Sequence, residues 1–297
     1  MLLKGDFSEE TKVDHVVPEW AQYMDEGDFI SYMPSFVGNK YLDKFEELKL
    51  MSEEKGEITY YLYDPTKNGF SADGKYPLIM FIHGYTNAMD GIKCVGHSGA
   101  EMFADPVRQE KMGGAYLLVP LANERRNENG EVVDSWDEGY LPCLKAIIEK
   151  TRSENPAISK VAVGGGSSGG YMTWNMINAY PEMFAGAFPV SGGNDDICKC
   201  IDTHIKILFA CSRYDEFGAF DRIGEKNIKK LEAASNVITY FPKFLRNGDG
   251  GVASLYFGIE MGQHCMITQL QADFIYDDGT PYIPELPDGM TGWFRDL

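Results

Sequence analysis

The sequence predicts an α/β fold, a mostly parallel sheet covered by helices on both faces. Three observations predict it. Short apolar runs rich in β-branched residues recur along the chain, and segments with helical spacing separate them. The runs are apolar on both sides of the strand, as a sheet buried on both faces requires. One run passes through a cluster of glycines directly into a helical pattern. With 297 residues, 44% of them hydrophobic and 24% charged, the chain is long enough to bury a sizeable core.

In chain order, residues 1–44 are acidic but hold Trp20, Tyr23, Phe29, Tyr32, Phe36 and Tyr41, too much apolar surface for a disordered tail. They are expected to form an extension that packs on the core or on a partner subunit, which leaves a homodimer open. Residues 45–297 form the main domain. Phe45 to Tyr63 reads as a hairpin, with Leu48 and Leu50 on one arm, Ile58, Tyr60 and Leu62 on the other, and a turn at Glu54-Lys55-Gly56. Pro77–Ile82 and Ala115–Val119 are buried strands. Leu141, Leu144, Ile147 and Ile148 mark a helix that stops near Asn155-Pro156. Ser159–Val163 is the next strand and Tyr171–Tyr180 the helix after it, ended by Pro181. Ala185–Val190, Ile205–Cys211 and Val237–Phe241 complete the strands, with Ile228 and Leu231 on a helix before the last. A helical segment is expected at Met266–Phe274.

Composition bounds the partners. The 27 basic and 45 acidic side chains give a net charge of −18. Such a surface repels phosphate backbones and anionic lipid, so neither nucleic acid nor membrane is an expected partner. No stretch approaches a membrane span, and the amino end lacks the apolar core of a signal peptide, so a cytoplasmic location is expected. Six cysteines are too few for a disulfide scaffold and are expected as reduced thiols. Cys198-Lys-Cys200 has no second Cys or His pair at ligand spacing, so no metal is expected.

The most informative stretch is Val161 to Trp174, VAVGGGSSGGYMTW. A G-x-S-x-G turn between strand and helix forces its serine into a strained backbone conformation and brings strand and helix close together. Two frames fit, Gly165-x-Ser167-x-Gly169 and Gly166-x-Ser168-x-Gly170. We prefer Ser167, because the N–H of Ser168 then follows the nucleophile as an oxyanion donor. Gly164-x-Gly166-x-x-Gly169 also satisfies a dinucleotide fingerprint, but the acidic residue expected about 20 positions on is missing. The other alternative is a purely structural glycine turn.

A serine needs a base and an acid that orients the base. In the order Ser, acid, His, only His204 and His264 of the five histidines follow the serine. His204 directly precedes a strand, at the end of the sheet away from the site. His264 lies in a loop after the last strand and is the expected base. The acid is expected after Ile205–Cys211, which points to Asp215, with Glu216 and Asp221 as alternatives. His83-Gly84-Tyr85-Thr86 follows an apolar strand. The Tyr85 N–H is expected to pair with that of Ser168 as an oxyanion hole, with His83 fixing the loop.

With these residues in place the chain resembles the α/β-hydrolase esterases that include feruloyl (cinnamoyl) esterases and polyhydroxybutyrate-depolymerase-like esterases, relatives of the prolyl oligopeptidases. The resemblance rests on His83-Gly84-Tyr85-Thr86, GGSSGGYMTW from Gly165, Tyr180-Pro181 and PVSGG from Pro189 to Gly193, within roughly Glu57 to Met266. It implies an α/β-hydrolase catalytic domain over 45–297, a triad of Ser167, Asp215 and His264, and no cofactor. It also implies a tryptophan in the loop after Pro120, where Trp136 fits as a wall of the substrate pocket. In the same loop Arg125, with Arg126, is a candidate for attracting an anionic substrate. Cinnamoyl esterases often carry a lid after the PVSGG strand, but here only residues 194–204 intervene. A cover would come from residues 1–44, 123–139 or 244–262. The expected activity is hydrolysis of small carboxylic esters, with feruloyl or acetyl esters of plant cell-wall carbohydrate as candidates. The alternatives are a peptidase acting on short peptides and a non-catalytic binding protein.

Overall fold

The computed structural model describes residues 40–85, 91–123, 128–129, 136–193, 197–246 and 262–297. Residues 1–39, most of the expected extension, lie outside these, as do Arg125 and Arg126.

Eight strands form one sheet in the order β1-β2-β4-β3-β5-β6-β7-β8. β1 (Glu46–Ser52) and β2 (Gly56–Tyr63) are the expected hairpin, and β2 runs antiparallel to β4 (Tyr116–Pro120). From there the sheet is parallel through β3 (Tyr76–Ile82), β5 (Ile158–Gly166), β6 (Gly186–Val190), β7 (Lys206–Ala210) and β8 (Val237–Tyr240). β4 and β6 are fully buried and β3 nearly so, and all three have the continuous apolar runs that two covered faces demand.

Nine helices are described. On one face α4 (Leu141–Glu154), α5 (Ser168–Ala179), α6 (Ala219–Ile223) and α7 (Glu225–Ala233) cover the sheet. Leu144, Ile147, Ile148, Trp174, Ile223 and Leu231 are buried there together with Leu78, Val163 and Phe209. The opposite face carries short helices: α1 (Cys94–His97), α2 (Ala100–Phe103), α3 (Pro106–Met112), α8 (Ile267–Gln271) and α9 (Gly289–Arg295). Its centre is aromatic. Phe81, Phe103, Phe188 and Phe294 meet at ring-centroid distances from 5.1 to 6.1 Å.

The structure corrects several expectations. β5 runs through Gly166, and α5 starts at Ser168 rather than Tyr171, because the turn between them is a single residue. The segment expected as a helix over Met266–Phe274 is a single short helix, Ile267–Gln271. Asp273 and Phe274, at φ 62° and 53°, turn the chain away. Helices α1, α2, α3, α6 and α9 have no counterpart in the sequence reading. Tyr41 is tied to the domain. Its N–H donates to Glu101 Oε1 at 2.9 Å and its hydroxyl to Asp105 Oδ2 at 2.6 Å, joining the end of the extension to α2 and the cap of α3.

Candidate active site

β5 delivers Ser167 to the carboxyl end of the sheet. Its backbone sits at φ 56°, ψ −120°, a conformation that costs an L residue about 1–3 kcal/mol unless its surroundings enforce it. They do. A Cβ on Gly165 would lie 2.1 Å from the Ile82 carbonyl oxygen, and one on Gly169 would lie 2.0 Å from the same atom. Both glycines of the Ser167 frame therefore let β5 and α5 close against β3. The crowding also bears on the dinucleotide reading. A Cβ on Gly164 would meet the Phe188 ring at 2.1 Å and one on Gly166 would meet Ile267 at 3.4 Å. These glycines pack against protein and not against an open crevice.

Three side chains from separate loops meet at the elbow. The Ser167 hydroxyl is 2.8 Å from His264 Nε2, and His264 Nδ1 is 2.6 Å from Asp215 Oδ2. Asp215 is held from its other side, since Oδ1 accepts the N–H groups of Phe217 at 3.0 Å and Ala219 at 3.2 Å. A carboxylate fixed by two backbone donors keeps its second oxygen aimed at the imidazole, which sets the tautomer with the proton on Nδ1. Nε2 is then the acceptor facing the serine.

The alternative acids do not compete for the imidazole. Glu216 Oε2 accepts the backbone N–H of His264 at 2.9 Å and so fixes the loop that carries the ring, while Asp221 is exposed. The Phe217 ring stands edge-on to the imidazole at 4.8 Å. Neither role was legible beforehand, because a contact between residues 216–217 and 264 depends on how two loops fold.

His83 is buried. Its Nε2 accepts the Ala122 N–H at 3.1 Å and its Nδ1 donates to the Gly84 carbonyl at 2.7 Å. Both nitrogens are thereby used by a neutral ring that ties the loop after β3 to the end of β4. Trp136 is buried beside it, with ring centroids 4.7 Å apart and its indole N–H donating to the His83 carbonyl at 2.9 Å. Trp136, expected as a pocket wall, makes contacts here that brace the 83–85 loop. That loop crosses the elbow, since a Cβ on Gly169 would also meet the His83 carbonyl at 2.8 Å. Tyr85 follows on the surface, 41% exposed. Ser168 is the first residue of α5, where a backbone N–H lacks an intrahelical acceptor.

Among the described residues no group of His, Cys, Asp and Glu is placed to hold a metal ion. Cys94, Cys143, Cys200, Cys211 and Cys265 are buried and form no disulfide among the described residues. Burial pushes the Cys265 thiol, next to the histidine, up to about 12, which keeps it un-ionised. No helix among the described residues is long and apolar enough to cross a membrane.

Residues 143–250 match the prolyl oligopeptidase family. No curated protein sequence matches the chain significantly. Among solved structures, a thermostable esterase is 28% identical with a TM-score of 0.54, covering 68% of this chain and 56% of the esterase. The chain thus spans little more than half the length of that relative. The acylaminoacyl peptidase of Pyrococcus horikoshii is 16% identical with a TM-score of 0.46, covering 69% of this chain and 38% of that one. A ferulic acid esterase of Anaeromyces mucronatus is 13% identical with a TM-score of 0.45, covering 66% and 81%. These last two are too distant to carry an argument. The chain has the α/β-hydrolase fold, and its family match and esterase likeness support serine-hydrolase chemistry.

Proposed function

We propose that the protein is a serine carboxylesterase acting on small carboxylic esters, with Ser167 as nucleophile, His264 as base and then acid, and Asp215 as the group that orients it. One observation carries this reading: the hydrogen-bonded chain from the Ser167 hydroxyl through His264 to Asp215, at 2.8 and 2.6 Å. As Ser167 Oγ bonds to the ester carbonyl carbon, His264 Nε2 takes its proton. The carbonyl π electrons move to oxygen, and the backbone N–H groups of Ser168 and Tyr85 hold that oxyanion. Each such donor contributes about 2.7–4 kcal/mol to the transition state. The carbon–oxygen bond to the alcohol then breaks, and His264 returns the proton to the leaving oxygen. Water repeats the sequence on the acyl-enzyme, releasing the acid and regenerating Ser167.

The esterase likeness at 28% identity favours esters, whereas the family match over residues 143–250 favours a peptidase as the second reading. Feruloyl or acetyl esters of plant cell-wall carbohydrate remain the substrates suggested by the motif resemblance. Turnover of p-nitrophenyl acetate and butyrate is the expected result, and Ser167→Ala should lower kcat by roughly a million-fold. Turnover of peptide p-nitroanilides without ester turnover would favour the peptidase. Comparing acetyl and butyryl esters with methyl ferulate addresses the acyl group.

A further inference from the structure

We infer that Arg222, braced by Tyr171 and Phe217 beside the histidine, selects esters whose alcohol portion carries a carboxylate. This rests on the esterase reading above. A closed circuit of contacts borders one side of Ser167. The Phe217 ring packs on His264, the base hydrogen-bonded to the serine. Arg222 donates through Nη2 to the Phe217 carbonyl and through Nη1 to the Tyr171 hydroxyl, the latter at 2.8 Å. The circuit returns along α5, where the Tyr171 N–H donates to the Ser167 carbonyl.

Chemistry assigns this side to the leaving group. The oxygen that departs must come within hydrogen-bond reach of His264 Nε2, because that atom protonates it. The alcohol portion therefore lies next to the ring on which Phe217 packs, with Arg222 just beyond. Phe217 is 49% exposed, and an aromatic surface kept in water beside a reactive serine suits a planar or apolar group.

The charge pattern narrows the class of ligand. The protein carries −18 overall, so an anion is repelled at a distance and its selection must be local. Arg222 is exposed, and its hydrogen bonds go to two neutral oxygens, a phenol and a carbonyl. Asp215 and Glu216, the acids of the loop before α6, are taken up by His264, while Asp221 beside Arg222 is exposed to water. A guanidinium held in a fixed orientation, with N–H groups to spare, fits a planar carboxylate through paired charge-assisted bonds.

The test compares two butyrate esters sharing one acyl group, meta-carboxyphenyl butyrate and its neutral analogue meta-carbamoylphenyl butyrate. The quantity read is the ratio of kcat/KM for the anionic ester to that for the neutral one, within each protein. Arg222→Gln should lower that ratio by about 10-fold or more, the worth of one hydrogen bond to a charged group. Arg222→Lys should retain part of it, and Tyr171→Phe, which frees the arginine, should fall between wild type and Arg222→Gln. A ratio that stays within about twofold of wild type in Arg222→Gln, on a protein that turns over the neutral ester, overturns this inference and leaves the esterase reading standing. Failure of the wild type to hydrolyse either ester overturns both.

Discussion

The elbow and the aromatic layer on the opposite face meet along β5, yet they are built on opposite principles. At the elbow, side chains are removed so that backbone can approach backbone: the Gly165 and Gly169 positions lie against the Ile82 carbonyl, and Ser167 is held at φ 56°. On the other face, large rings fill the space. Phe81, Phe103, Phe188 and Phe294 form edge-to-face and tilted pairs around short helices that could not stand alone. The contrast teaches that geometry for chemistry and free energy for folding are supplied by different residues. Gly164, whose missing Cβ makes room for the Phe188 ring, is where the two meet.

That division can be broken from either side. On the side of the chemistry, Asp215→Asn keeps the shape but loses control of the imidazole tautomer. It should lower kcat on p-nitrophenyl butyrate by about four orders of magnitude, and the urea midpoint should move little. Next is Phe294→Ala, which should reverse the pattern. Removing a fully buried ring from the aromatic layer should cost about 3–5 kcal/mol in urea unfolding, while the folded fraction keeps wild-type kcat. If either substitution moved both quantities equally, the contrast would fail.

A smaller effect sharpens the same line. Glu101 is almost fully buried in α2, and burial pushes its carboxyl up to about 7 from 4.5, with the Tyr41 N–H opposing. Among the described residues its Oε2 has no hydrogen-bond partner, which suits the protonated form. The folded protein thus keeps a proton that the unfolded chain releases between about pH 4.5 and about pH 7. Stability should therefore be greatest below that window and fall across it, by at most about 3 kcal/mol from this group. Urea unfolding at the two ends of the window should show a smaller difference for Glu101→Gln than for wild type.

The legibility of the sequence follows the same contrast. The elbow could be read because its chemistry is local: glycines, serine and helix start lie within ten residues. The approach of His264 and Asp215 to Ser167 could be anticipated because strand order restricts which loops reach the elbow. The helices α1, α2, α3 and α9 could not, since at four to seven residues each they show little more than one helical turn of pattern. Phe103 and Phe294 stabilise them through partners far away in sequence. The contacts of Glu216 and Phe217 with His264, and of Arg222 with Tyr171, escaped for a related reason, as they join segments far apart in sequence that no spacing rule links. The resemblance pointed to Trp136, whose indole N–H donates to the His83 carbonyl.

In the proposed mechanism one hydroxyl, at Ser167 and not at its neighbour, is made reactive by the imidazole beside it. Labelling the folded protein with a fluorophosphonate and locating the adduct by peptide mass spectrometry tests this most directly. One adduct is expected, on Ser167, and it should be lost in His264→Ala. An adduct on Ser168, or a folded protein that takes no label, would contradict it.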